Sequence, residues 1–223
     1  MIDATEQRTN MVESQILTSD VTDKRILRAM GELPRERFVP PSLAPLAYMD
    51  EAVALTAAAG GAPRRWLMAP RVLAKLLQLA EVGEGARVLD VGTGTGYSAA
   101  VLGRIVKTVV ALECDAALAA EARKNLAALA FDNVGVVEGA LAEGCVNEAP
   151  YDAIVLEGSI LESPGTLLDQ LKDGGRLVGV IRKDGLGKAV IWRRLGRSLD
   201  QWTAFDAAAP PLPGFEPAPA FVF

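Results

Sequence analysis

The run Val88-Leu89-Asp90-Val91-Gly92-Thr93-Gly94-Thr95-Gly96-Tyr97 constrains this chain more than any other stretch. An apolar segment, Ala86 to Val91, ends in three alternating glycines, and a helical pattern follows. That order predicts a strand, a tight turn and a helix N-terminus. Glycines at such a turn let backbone N–H groups come close to a bound group, because no Cβ stands in the way. The third glycine comes one residue earlier than in the dinucleotide fingerprint G-x-G-x-x-G, and Tyr97 takes the expected place. An acidic residue, Asp90, stands just before the loop.

Strand and helix patterns alternate from there. Strands are expected at 86–91, 107–113, 133–138, 151–157 and 175–182, and helices at 96–105, 115–130 and 163–172. This alternation predicts parallel βαβ units with right-handed crossovers. Lys188 to Leu195 and Trp202 to Phe205 read as two further strands, an antiparallel hairpin through Gly196-Arg197-Ser198. The fold class is therefore α/β: a Rossmann-like, doubly wound, mostly parallel seven-stranded sheet. An N-terminal helical extension precedes it, with Thr5 to Leu17 amphipathic and a second helix to Met30 capped by Asp20 or Thr22. Pro70 suits the first turn of a helix whose apolar face is Val72, Leu73, Leu76 and Leu77. We read one domain: 1–70 as helical extension and loop, 71–208 as core, and 209–223 as a proline-rich tail lying over the surface. Residues 50–68 read as a loop or lid.

Composition removes whole classes of chemistry. The chain has 223 residues and no histidine. Ser-His-Asp, Cys-His and histidine-ligated metal mechanisms are excluded. Cys114 and Cys145 stand outside any metal-ligand spacing, and no metal is expected. The net charge of −5 disfavours nucleic acid as a partner. No segment suits a membrane span, and Met1 to Thr9 lacks a secretory apolar region, so a cytoplasmic location is expected.

In a doubly wound sheet, ligands bind beyond the C-terminal strand ends. The first end supplies Asp90, Gly92, Thr93, Gly94, Thr95, Gly96 and Tyr97. The second supplies Glu113 and Cys114, with Glu113 lying 23 residues after Asp90. An ionised carboxylate there accepts both hydroxyls of a ribose, so loop and acid together read as a nucleoside site. Asp115 reads as a helix N-terminal acid instead. The third end gives Gly139, Ala140 and Leu141, and the fourth gives Glu157, either a ligand-facing acid or an exposed loop acid. Asp152 reads as structural.

Asp90-x-Gly92-x-Gly94-x-Gly96 resembles the first motif of the S-adenosylmethionine-dependent methyltransferases. Several blocks are more specific. Met11-Val12-Glu13-Ser14-Gln15-Ile16, Pro34-Arg35-Glu36-Arg37-Phe38-Val39-Pro40, Ala47-Tyr48-Met49-Asp50, Ala149-Pro150-Tyr151-Asp152-Ala153-Ile154 and Leu168 to Val178 resemble the protein-L-isoaspartate O-methyltransferases. That resemblance implies S-adenosylmethionine as cofactor and S-adenosylhomocysteine as product, with Gly139, Ala140 and Leu141 bordering the adenine and Glu157 facing the amino-acid end. It also implies a protein or peptide carboxylate as methyl acceptor. A carboxylate is already nucleophilic at neutral pH, so alignment does most of the work and no strong base is required. The oligomeric state is left unassigned.

Departures cluster where the family handles its acceptor. A family segment of the type Gly-Gln-Thr-Ile-Ser-x-Pro falls here on Arg64-Arg65-Trp66-Leu67-Met68-Ala69-Pro70, with Arg71 following. The family serine falls at Met68, the family threonine at Trp66, a family Gly-Asp-Gly on Gly139-Ala140-Leu141, and a family Thr-Ala on Glu157-Gly158. No catalytic residue is assigned. Arg64, Arg65 and Arg71 either replace the lost hydrogen-bond donors at the acceptor or are surface charge. Trp66 is a lid anchor or a packed aromatic. Two functions stay open: isoaspartyl methyl transfer, or a divergent member that methylates another acceptor or only binds the nucleoside.

Overall fold

A computed structural model describes residues 3–57 and 64–216. Seven strands form one sheet in the order β5-β4-β3-β6-β7-β8-β9. They are β3 (Arg87–Val91), β4 (Thr108–Glu113), β5 (Val134–Glu138), β6 (Tyr151–Ile160), β7 (Leu171–Lys183), β8 (Leu186–Leu195) and β9 (Ser198–Asp206). The first five are parallel, and β8 and β9 add antiparallel. The direction of winding reverses between β3 and β6, which places the switch point directly behind the glycine loop.

The central strands β3, β4 and β6 are buried on both faces and read as continuous apolar runs. Along β3 and β6, Val88, Ala153 and Val155 join one core with the N-terminal helices, while Leu89, Val91, Ile154 and Leu156 join the other. Helices α4 (Tyr97–Gly103) and α5 (Ala116–Ala128) connect the parallel strands, and α3 (Pro70–Leu79) precedes β3. Asp115 caps α5 by accepting from the N–H groups of Ala117 and Leu118. Asp152 ties β6 to its neighbours through the Arg87 N–H and Lys172 Nζ.

Several local expectations need correction. The N-terminal helix α1 spans Ala4–Met11, widens into a π turn at Val12–Ile16 and tightens at Leu17–Ser19. The cap of α2 (Lys24–Glu32) is Asp23, not Asp20 or Thr22; Asp20 instead takes a left-handed conformation, φ 64°, that ends the preceding turn. The helix expected at 163–172 shrinks to α6 (Gly165–Leu168), because the chain re-enters the sheet at Leu171 and bulges at Gly174, φ 78°. The loop at 50–68 holds a two-stranded ladder, β1 (Val53–Ala54) against β2 (Trp66–Leu67). Residues 58–63 of that expected lid, and 217–223 of the expected surface tail, lie outside the described residues. The described part of the tail does not lie loose: Ser159 N–H donates to Pro210 O (2.7 Å), Leu212 N–H donates to Ser159 O (2.9 Å), and Leu212 is buried.

Candidate functional site

The glycine loop folds as its spacing requires. Gly92, Gly94 and Gly96 all have positive φ, at 83°, 59° and 95°. Gly96 ends the turn and α4 begins at Tyr97. Thr95 is fixed by its hydroxyl on Phe38 O and by its carbonyl, which accepts from Asn125.

Glu113, at the end of β4, lies where the sequence places it, and it is saturated with donors. Its Oε1 accepts from the N–H groups of Cys114 (2.9 Å) and Asp115 (3.1 Å), and its Oε2 from Gly94 N–H (2.7 Å). The remaining capacity is taken by Arg65, whose Nε and Nη2 donate to the two oxygens at 3.1 and 2.8 Å. Nη2 also reaches Gly92 O at 3.0 Å. The two side chains are 3% and 0% exposed, so the surface-charge reading of Arg65 is wrong. Burial raises the pKa of Glu113, but Arg65 and the Asp115 and Gly94 N–H groups outweigh it, and the net shift is downward.

Arg65 is delivered by the short ladder. Leu55 N–H donates to Arg65 O and Arg65 N–H to Thr56 Oγ1, both at 2.9 Å. Side chains alternate along a strand, so Trp66 points elsewhere. It stacks with the exposed Arg64 (5.2 Å) and borders a cavity of about 540 Å³ with Asp50, Arg71, Lys75 and Phe205. Arg71 pairs there with Asp50 at 2.7 Å. That cavity borders neither Glu113 nor the glycine loop. The structure thus separates the three arginines read as one acceptor group. Met68 is packed in the core, only 1% exposed, with its carbonyl accepting from Arg35 Nη2 at 2.6 Å.

Beneath the loop the polar balance is opposite. Asp90 and Glu157 are both buried, which removes the exposed-loop reading of Glu157. Ser98 donates to Asp90 Oδ2 at 2.7 Å, but Asp90 Oδ1, Glu157 Oε1, Thr93 Oγ1 and Ser159 Oγ have no hydrogen-bond partner among the described residues. Burial pushes Asp90 up to about 6. Burial and the neighbouring Asp90 carboxyl push Glu157 well above the usual range. The nearby Arg35 is fully buried against the Tyr97 ring, 4.7 Å from its centroid, with Nη1 unpartnered among the described residues. Arg35 was not singled out from the sequence; its place in a family-like block was the available signal.

Gly139 N–H donates to Glu113 O, Leu141 is buried near Gly92, and Ala140 and Cys114 are exposed at the rim. The acceptors here match a ribose diol at Glu113 and an ammonium at Asp90 Oδ1 and Glu157 Oε1, which have no partner among the described residues. One condition attaches: Arg65 and a ribose require the same two oxygens of Glu113.

Comparison with known proteins places these features in a family. The family model described as protein-L-isoaspartate(D-aspartate) O-methyltransferase matches residues 6–199. A protein-L-isoaspartate O-methyltransferase of Koribacter versatilis is 33% identical over 214 residues, covering 95% of this chain and 94% of the relative. Another, of Pelobacter propionicus, is 40% identical over 172 residues, covering 77% and 74%. A solved protein-L-isoaspartate O-methyltransferase superposes with TM-score 0.79 at 27% identity, over 94% of this chain and 66% of that one. A Plasmodium falciparum chain solved with S-adenosyl-L-homocysteine shares the fold, with TM-score 0.74 at 20% identity over 91% and 96%.

Proposed function

We propose, from the premise that the chain belongs to the protein-L-isoaspartate(D-aspartate) O-methyltransferase family of S-adenosylmethionine-dependent enzymes, that it methylates a carboxylate of damaged protein at the loop Asp90–Gly96. The observation that carries this reading is the juxtaposition of the glycine cradle with Glu113 at the switch point of the family's sheet. Bound here, S-adenosylmethionine would supply a sulfonium methyl group; the acceptor carboxylate, already ionised at neutral pH, would bond to that carbon as S-adenosylhomocysteine leaves. The chain's own residues bind, orient and exclude water.

In this reading Glu113 holds the ribose. Gly139, Ala140 and Leu141 border the adenine, with Cys114 at the rim. Gly92, Thr93, Gly94, Thr95 and Gly96 shape the approach, with Tyr97 packed beneath. Asp90 and Glu157 receive the ammonium, which supplies the donor that their unpartnered oxygens lack. The acceptor is a protein or peptide; Trp66 and Arg71 line a cavity set apart from the glycine loop, and Arg64 stacks on Trp66 at its edge. The whole chain works as one methyltransferase unit. Among the described residues no helix is long and apolar enough to cross a membrane. The free thiols of Cys114 and Cys145 suit the reducing cytoplasm, where we place the protein, acting on neither membrane nor nucleic acid.

Methyl transfer from labelled S-adenosylmethionine to an isoaspartyl peptide tests this. We expect turnover by the wild-type chain. Binding of S-adenosylhomocysteine without turnover would overturn the isoaspartyl assignment and favour another acceptor. A specific observation supports that second reading: Met68, at the family serine position, is buried and offers no side-chain hydrogen-bond donor. If it holds, Met68→Ser should raise isoaspartyl turnover; no change would dismiss the serine as the cause.

A further inference from the structure

We infer that Arg65, Leu55 and Leu212 form an internal latch over the nucleoside site, and that methyl-donor binding requires Arg65 to leave Glu113. This rests on the reading of Glu113 as the ribose acceptor. Arg65 presents two N–H donors, Nε and Nη2, to the two oxygens of one carboxylate. The vicinal hydroxyls of a ribose would present the same pattern, so the guanidinium stands in for the diol.

The neighbouring contacts complete the occupation. A Cβ placed on Gly92 would lie 2.6 Å from Leu212 Cδ2 and 3.0 Å from Arg65 Nη2; one on Gly94 would lie 2.6 Å from Leu55 Cδ1. The close approach that these glycines permit is therefore taken by the chain's own side chains. Leu212 is held there by the backbone bonds of Pro210 and Leu212 to Ser159, and it belongs to the core on that face of the sheet. Leu55 and Arg65 arrive together from β1 and β2. Two segments, separate in sequence, converge on one strand end.

The energetics make this a latch rather than an incidental contact. A buried bidentate pair with every lone pair answered does not open at little cost. A ligand that binds only the open form has its affinity reduced by the fraction of protein that is open. These three side chains thus set the donor concentration at which this member works.

Isothermal titration with S-adenosylhomocysteine tests the latch on the full chain, with Arg65→Gln and Leu212→Ala. Glutamine is the residue of the family-type segment at this place and leaves Glu113 its three backbone donors. We expect Arg65→Gln to bind about tenfold or more tightly than wild type, and Leu212→Ala to gain roughly two- to fivefold. Wild-type binding equal to or tighter than Arg65→Gln would overturn the latch and leave the methyl-donor reading standing. No binding by any of the three would overturn both. Hydrogen exchange on the wild-type protein gives a second readout, free of variant folding. Saturating S-adenosylhomocysteine should speed exchange at the Leu55 and Leu212 amides, which bond Arg65 O and Ser159 O. Added protection at both would contradict displacement.

Discussion

Glu113 and the Asp90–Glu157 pair lie at adjacent strand ends and meet opposite fates. Glu113 collects donors from Arg65 and three backbone N–H groups and is held charged. Asp90 and Glu157 keep oxygens without donors and are pushed toward the protonated form. The difference teaches that burial alone does not set the state of a carboxyl; the supply of donors does. In the proposed reading, the ribose end of the site is already answered from within the chain, and the ammonium end is not.

Removing Glu113 should break the comparison most severely. Glu113→Ala strands Arg65 in a buried position, and chemical denaturation should show a loss of about 3–5 kcal/mol together with loss of S-adenosylhomocysteine binding. A loss under about 1 kcal/mol would mean that the pair is not buried in solution. Acid–base behaviour sharpens the contrast next. A raised folded pKa means that Asp90 binds its proton more tightly folded than unfolded, so its stabilisation is present at low pH and is lost as pH rises through about 6. Glu113 has the opposite sign: its contribution is present above its unfolded value of 4.5 and is lost as pH falls. Denaturation midpoints should therefore decline from pH 5 to about 7 for wild type, and the decline should be smaller in Asp90→Asn. A profile unchanged by that substitution would remove Asp90 as the titrating group.

Glu157→Gln removes a carboxyl whose charged form burial and Asp90 disfavour, so it should raise stability at pH 7.5 while weakening S-adenosylhomocysteine binding if the ammonium sits there. Tighter ligand binding would contradict that placement. Smallest of all, Arg71→Ala breaks a pair that is 51% and 27% exposed. It should change the melting free energy by less than about 1 kcal/mol, in contrast with the buried arginine six residues earlier.

The central strands were legible because they are buried on both faces and punctuated by glycine: Arg87–Val91 falls almost where its apolar run places it. The edge strand Val134–Glu138 is only partly buried and was marked by its valines. The glycine loop and Glu113 were legible because strand ends in this topology converge on one edge. What stayed hidden was tertiary. Arg65 meets Glu113 across 48 residues of sequence, and its carrier strand is only two residues long, too short for any periodic signal. Leu212 is a lone apolar residue between prolines, which reads as surface until the tail pairs with Ser159. The acceptor side was misgrouped because Arg64, Arg65 and Arg71 are near in sequence, whereas strand alternation and the start of α3 send them to different places.

The state of the Arg65 guanidinium decides the matter most directly. In a ¹⁵N correlation spectrum of the free protein we expect a shifted, slowly exchanging Arg Nε–H resonance, assigned by its absence in Arg65→Gln. Saturating S-adenosylhomocysteine should move that resonance to the solvent-exposed range. A resonance left in place with ligand bound would show that Arg65 never yields Glu113 to the ribose.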